Sequence, residues 1–134
     1  MLRILIADDE PLARKVLCEE LALHPGVVIV GEAENGADTL AKIAALQPDL
    51  VLLDLAMPDI SGFAVLQTIQ AWNTFPMVVV VTADQEGGKA AVKLGAVDCL
   101  HKPVSPSRLF RSLEAIQGIA SSGEVGDAHV ADNI

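Results

Sequence analysis

Four short stretches carry the side chains able to do chemistry: Asp8-Asp9-Glu10, Asp54 at the end of LVLLD (50–54), Thr82 at the end of MVVVVT (77–82), and Lys102-Pro103. Asp54 closes an apolar run, and desolvating an unpaired carboxylate is costly. It therefore has to reach the rim of its sheet, find a partner, or do both. Asp8 and Asp9 brought up to Asp54 would repel one another unless protonated or neutralised. A hard divalent cation with oxygen ligands solves that problem. Magnesium fits because it takes one or two carboxylates together with waters and phosphate oxygens. Lys102 approaching Asp54 from another side would leave the carboxylate ionised and partly dehydrated, as a carboxylate nucleophile must be. With the Thr82 hydroxyl alongside, such a set suits phosphoryl transfer, which asks mainly for positioning and charge neutralisation. Taken singly, each residue has a plainer reading. Asp8 and Asp9 suit the positive end of a helix dipole, Thr82 is an ordinary strand-end residue, and Lys102 an ordinary surface lysine. Only their convergence makes a site.

The elements that must position them follow from apolar spacing. RILIAD (3–8), VVIVGEA (27–33), DLVLLD (49–54), MVVVVT (77–82) and VDCLH (97–101) read as strands. Between them lie helical stretches. LARKVLCEELALH (12–24) has Ala13, Val16, Leu17 and Leu21 on one face, with Pro11 at a first-turn position and His24-Pro25-Gly26 as a stop. ADTLAKIAAL (37–46) follows an Asn35-Gly36 turn, FAVLQTIQAW (63–72) follows Gly62, and EGGKAAVKLGA (86–96) is a weaker helix. Gly87 and Gly88 each cost a helix interior about 1 kcal/mol against alanine, which predicts a frayed, loosely held start. Ser105 can cap, and Pro106 begin, a last helix with Leu109, Leu113 and Ile116 inward. Five βα units in succession predict an α/β fold, a doubly wound (βα)5 parallel sheet of flavodoxin-like strand order 2-1-3-4-5. Ligands of such sheets sit at the carboxyl ends of the strands, near the point where strand order reverses. The four stretches all end at that edge.

Composition sets the outer bounds. The 134 residues suit one domain, and 51 % apolar residues with only 3 % aromatics predict a core of Val, Leu, Ile and Ala. A formal net charge of −9 argues against a nucleic-acid surface. Two distant cysteines, Cys18 and Cys99, are too few for a disulfide scaffold and predict a reducing, cytoplasmic setting. No stretch approaches a membrane span, and MLRILIADDE lacks the shape of a signal peptide. Residues 119–134 lack periodicity and read as a flexible tail or linker after a domain over 1–118.

DDE at 8–10, Asp54 of VLLD, MPDISG at 57–62, TA at 82–83 and KP at 102–103, in this order and spacing, resemble the receiver domain of two-component response regulators. The resemblance covers residues 1 to about 118 and implies a phosphorylation-dependent switch rather than a metabolic enzyme. It implies that Asp54 is the phosphoacceptor and that Asp9 ligates Mg2+ directly. Asp8 would act nearby or through water, and the Ala56 backbone carbonyl would complete the protein ligands. Thr82 and Lys102 would meet the phosphoryl group once it arrives. The implied partners are a sensor histidine kinase or a small phosphodonor, and a second copy through the face of helix 4, strand 5 and helix 5. EPLAR (10–14) and KPVSPSRL (102–109) are similar to receivers joined to LytTR-type DNA-binding domains, as in AlgR-like regulators. Cys99 stands where receivers carry an aromatic switch residue; His101, on the same side of the strand by alternation, is expected to share or replace its role. Two rival readings stand beside this one. One is a phosphorylation-independent binding module. The other is an aspartate-nucleophile phosphohydrolase of haloacid-dehalogenase type, whose second Asp, two residues after the first, is here Ala56.

Overall fold

The computed structural model describes residues 1–73 and 75–122, and the side chains of 1–73 and 75–118. Strands and helices alternate along the described chain: β1 (Leu2–Ala7), α1 (Pro11–Leu21), β2 (Val27–Ala33), α2 (Gly36–Leu46), β3 (Leu50–Asp54), α3 (Gly62–Gln70), β4 (Met77–Thr82), α4 (Gln85–Lys93), β5 (Asp98–His101) and α5 (Pro106–Ser122). The strands pair in parallel in the order β2-β1-β3-β4-β5. This is the expected doubly wound fold, and the expected bounds of β2 and β4 are met residue for residue. The Asn35-Gly36 pair, read as a turn, is instead the start of α2: Asn35 caps it by accepting the Asp38 amide.

The central position of β3 explains its run of apolar side chains. All five of its residues are buried, because alternate side chains face helices on opposite sides of the sheet. Leu5, Ala7, Val51, Leu53, Val78 and Val80 lie on one face and form a core with Ile43 of α2, Val65, Leu66 and Ile69 of α3, and Ala91 of α4. Ile4, Ile6, Leu50, Leu52, Val79 and Val81 alternate with these on the other face and are buried as well. Each such Leu or Ile taken from water contributes about 1.5–3 kcal/mol, which lets the sheet hold polar groups at one edge. On α1, Leu17 and Leu21 are buried as expected, but Val16 is 49 % exposed. It borders an open groove, shared with Ala13, Leu17 and Val81, that nothing in the described chain fills.

Met1–Val104 forms one unit, and a second begins at Ser105. Within that second unit α5 starts at Pro106, and Ser105 Oγ accepts the Arg108 amide at 3.4 Å. Leu109, Leu113 and Ile116 are buried. The helix runs to Ser122, past the expected boundary at 118, and the rest of the expected tail lies outside the described residues.

Gly87 and Gly88 differ from their sequence reading. Both are buried inside α4. A Cβ on Gly88 would overlap Cys99 Sγ of β5, and one on Gly87 would stand 2.7 Å from Oδ2 of the helix's own cap, Asp84. The glycines serve close packing, and α4 is held at both ends. Asp84 Oδ1 accepts the Glu86 amide at 3.1 Å, and the Gln70 side chain of α3 donates to the Leu94 carbonyl just past the last turn. Gly88→Ala should therefore destabilise the protein by about 1–3 kcal/mol, and Cys99→Ala in the same chain should recover most of that loss. Urea unfolding of the two single variants and the double variant measures it; additive losses would contradict the packing.

Candidate functional site

Register sets the site. Ala7 pairs with Leu53 and Asp54 with Val81, while Thr82 pairs with His101. Just beyond these pairs, Asp8 therefore comes level with Asp54, and Lys102 lies one step past Thr82, at the carboxyl edge. Asp8, Asp54 and Thr82 are all buried. Asp9 and Glu10 are exposed and lie between β1 and α1.

Lys102 joins the strand ends. Its Nζ lies 2.8 Å from Asp8 Oδ2 and 3.3 Å from Asp54 Oδ2, and 3.6 Å from Glu10 Oε1. Its backbone amide donates to the Thr82 carbonyl at 2.9 Å. The carboxylates are further fixed by backbone. Asp8 Oδ1 accepts the Glu10 amide at 2.9 Å, and Asp54 Oδ1 accepts the Ala56 amide at 3.1 Å. Arg14 of α1 donates to the Asp8 carbonyl at 2.6 Å and pairs with Glu32 of β2 at 3.1 Å. Thr82 stands at the neighbouring strand end, where its Oγ1 accepts the Asp84 amide at 3.0 Å.

Burial pushes the Asp54 carboxyl up from its ordinary value, and Asp8 adds to the rise; the Ala56 amide and the Lys102 ammonium pull it only part of the way back. Burial alone would lower the Lys102 ammonium. Its hydrogen bond to Asp8 and the charges of Asp54 and Asp8 outweigh that, and its pKa is raised. Four carboxylates (Asp8, Asp9, Glu10, Asp54) against one ammonium leave a formal charge of −3 at this edge. Asp8, Asp9 and Glu10 can each offer an oxygen with all three atoms within 4.8 Å of one another. Hard oxygen donors in a region of uncompensated negative charge fit a magnesium ion.

The structure thus brings together Asp8, Asp54 and Lys102 in direct contact, places Asp9 beside them, and sets Ala56 against Asp54. Thr82 is on the same edge without a direct bond to the other three side chains. Sequence reasoning gave no role to Glu10, whose proximity to Lys102 depends on how α1 leaves the strand. It also missed Arg14, which supports Asp8 through a main-chain oxygen. Both lie in the DDE and EPLAR motifs, but neither motif says which strand end they would meet.

The profile of the response regulator receiver domain matches residues 4–114. The chain belongs to that family. A curated relative, the protein-glutamate methylesterase/protein-glutamine glutaminase of Symbiobacterium thermophilum, is 42 % identical over 105 residues, which is 76 % of this chain and 29 % of the relative. An uncharacterised response regulatory protein of Vibrio vulnificus is 37 % identical over 131 residues, 98 % of this chain and 53 % of its own length. The chain thus spans between about a third and about half of these relatives. Among solved structures, the response regulatory domain of mrkE from Klebsiella pneumoniae superposes with a TM-score of 0.84 at 28 % identity, covering 90 % of this chain and 99 % of that one. The response regulator domain of Thermotoga maritima CheB gives a TM-score of 0.76 at 27 % identity, covering 88 % and 95 %.

The raised Asp54 carboxyl makes a prediction about this receiver's stability. For an acid whose pKa rises on folding, ionisation costs the folded state stability. The cost is absent below the ordinary value of 3.8 and complete once pH has passed the folded value. In metal-free buffer Asp54→Asn should therefore melt a few degrees above the parent at about pH 7. The gap should close as pH falls towards 3.8. Thermal scans of both proteins across that range decide it; a lower-melting variant near neutrality would show that the Lys102 contact outweighs burial.

Proposed function

We propose that this receiver domain works as a switch in which Asp54 takes a phosphoryl group from a phosphohistidine of a sensor histidine kinase, or from a small acyl phosphate, and later loses it to water. The observation that carries the reading is Lys102 Nζ, just past β5, held between Asp8 and Asp54 at the ends of the paired strands β1 and β3, 2.8 and 3.3 Å away. A carboxylate oxygen of Asp54 would attack phosphorus as the bond to the donor's nitrogen or oxygen breaks, leaving an aspartyl phosphate. Lys102 is placed to neutralise the incoming phosphoryl oxygens. Thr82 would exchange its bond from the Asp84 amide for a contact to the same group. Asp9, Asp54 and the Ala56 carbonyl, with Asp8 directly or through water, would hold Mg2+. When bound, that ion supplies the charge neutralisation that phosphoryl transfer requires.

A protein donor is favoured by the surface next to the site. A groove lined by Ala13, Val16, Leu17, Val81, Pro103 and Val104 ends on Asp8 and Lys102. Leu12, one turn before Val16, is 75 % exposed. A small phosphodonor has no use for this apolar strip, whereas a kinase helix delivering its phosphohistidine does. The chain's own role is regulatory. The output it governs is either of LytTR type, by the EPLAR and KPVSPSRL likeness, or a methylesterase, by the names of its curated relatives; a phosphorylation switch serves both. A cytoplasmic setting follows from the kinase partner, and among the described residues no helix is long and apolar enough to cross a membrane.

Incubation with acetyl phosphate and Mg2+ followed by mass spectrometry tests the proposal. One labile adduct should form on Asp54 and disappear in Asp54→Asn. Lys102→Ala should slow labelling by about a hundredfold. No adduct, or one that survives Asp54→Asn, would reject the assignment. Turnover of a generic phosphate ester would favour the hydrolase reading instead.

A further inference from the structure

The segment between β3 and α3 carries Ala56, yet it belongs to neither element. Leu55 and Met57 are buried, and the Gly62 amide closes the segment by donating to the Leu55 carbonyl at 2.9 Å. Asp59 lies at its outer turn and is exposed. Its two carboxylate oxygens accept the first amides of α2, Gly36 to Oδ1 at 2.7 Å and Ala37 to Oδ2 at 2.9 Å. Asn35 takes the next, that of Asp38, at 2.7 Å. An acid from 22 to 23 residues away thus supplies partners for two of the four amides that the start of α2 leaves without an intrahelical bond. A carboxylate is well suited there, because it accepts two amides at once in charge-assisted bonds at the positive end of the helix. The fit is close on both sides. A Cβ on Gly36 would overlap the backbone of Ile60, the residue after Asp59. A Cβ on Gly62 would overlap the Asp54 carbonyl. The loop is wedged between the end of β3 and the start of α2, with Asp59 as its polar tie.

Resting on the reading of Asp9, Asp54 and Ala56 as magnesium ligands, we propose that Asp59 is a positioning residue for that ion: it ties the loop bearing the Ala56 carbonyl to the N-terminus of α2, without touching ion or phosphoryl group. The affinity of a site that is fully formed only part of the time falls by the fraction of time it is formed. Untying Asp59 lets the loop leave its place, so the ion binds a smaller competent population.

Three proteins test this: the parent chain, Asp59→Ala and Asp59→Asn. Amide hydrogen exchange in metal-free buffer should be faster at Gly36 and Ala37 in Asp59→Ala. Mg2+ titration followed by amide NMR should show the parent shifting at Asp9, Asp54 and Ala56. In Asp59→Ala the dissociation constant should rise roughly three- to tenfold. Asp59→Asn keeps one acceptor oxygen and should fall between, which guards against a variant that merely fails to fold. If the parent binds Mg2+ and Asp59→Ala binds it equally well while its α2 amides open, Asp59 is a structural cap and the proposal is overturned. If the parent itself shows no shifts at those residues, the underlying reading of the metal site fails, and the proposal falls with it.

Discussion

One ammonium shared by two buried carboxylates is the interaction on which this protein's working edge depends. Lys102 Nζ reaches Asp8 at 2.8 Å and Asp54 at 3.3 Å from a side chain that is 21 % exposed. Taking away the ammonium costs about 3–5 kcal/mol, because two dehydrated carboxylates are then left facing each other unpaired. Yet one positive charge cannot satisfy this edge: Asp8, Asp9, Glu10 and Asp54 outnumber it. The site is stable enough to fold and still short of positive charge. A surface in that state can take up a cation and then an anion, and a receiver needs both.

The parallel sheet imposes the rest. Its middle strands are apolar on both faces, so an acid in them has only the end of the strand to go to. The pairing of Ala7 with Leu53 puts Asp8 level with Asp54, and the pairing of Thr82 with His101 puts Lys102 just past Thr82. No long loop has to fold back to build the site. A register slip of one residue on β3 would reverse its side chains and move Asp54 off the line. The apolar faces of the strands, chosen for burial, therefore fix the chemistry at their ends.

Most of this was legible in the sequence because it depends on periodicity and punctuation. Strand runs, the prolines at 11 and 106, and acids at strand ends are local signals, and strand order follows from the repeating unit. What was not legible depends on neighbours that are distant in sequence. Val16 has the spacing of a core residue, but α1 turns it towards an open groove, where it is half exposed. Asp59 looks like a loop acid in MPDISG, and its bond to the start of α2 exists only once α2 and α3 lie side by side. Glu10, the last acid of DDE, has no role in the sequence reading and stands 3.6 Å from the Lys102 ammonium.

Gly87 and Gly88 show how far propensity misleads when packing decides. Two glycines near a helix start predict looseness, since each weakens a helix by about 1 kcal/mol in isolation. In the fold they are buried; a side chain at 88 would overlap the Cys99 sulfur, and one at 87 would press on the Asp84 cap. Gly88 faces the sulfur of Cys99 and lies beside Thr82, so the cysteine at 99 and the glycine at 88 share one space between them. A ring there would demand room that α4 does not leave. The small residue at 99 and the glycine at 88 are thus one packing feature of this chain. Together they bring α4 close to β5, while Asp84 and Gln70 hold its two ends.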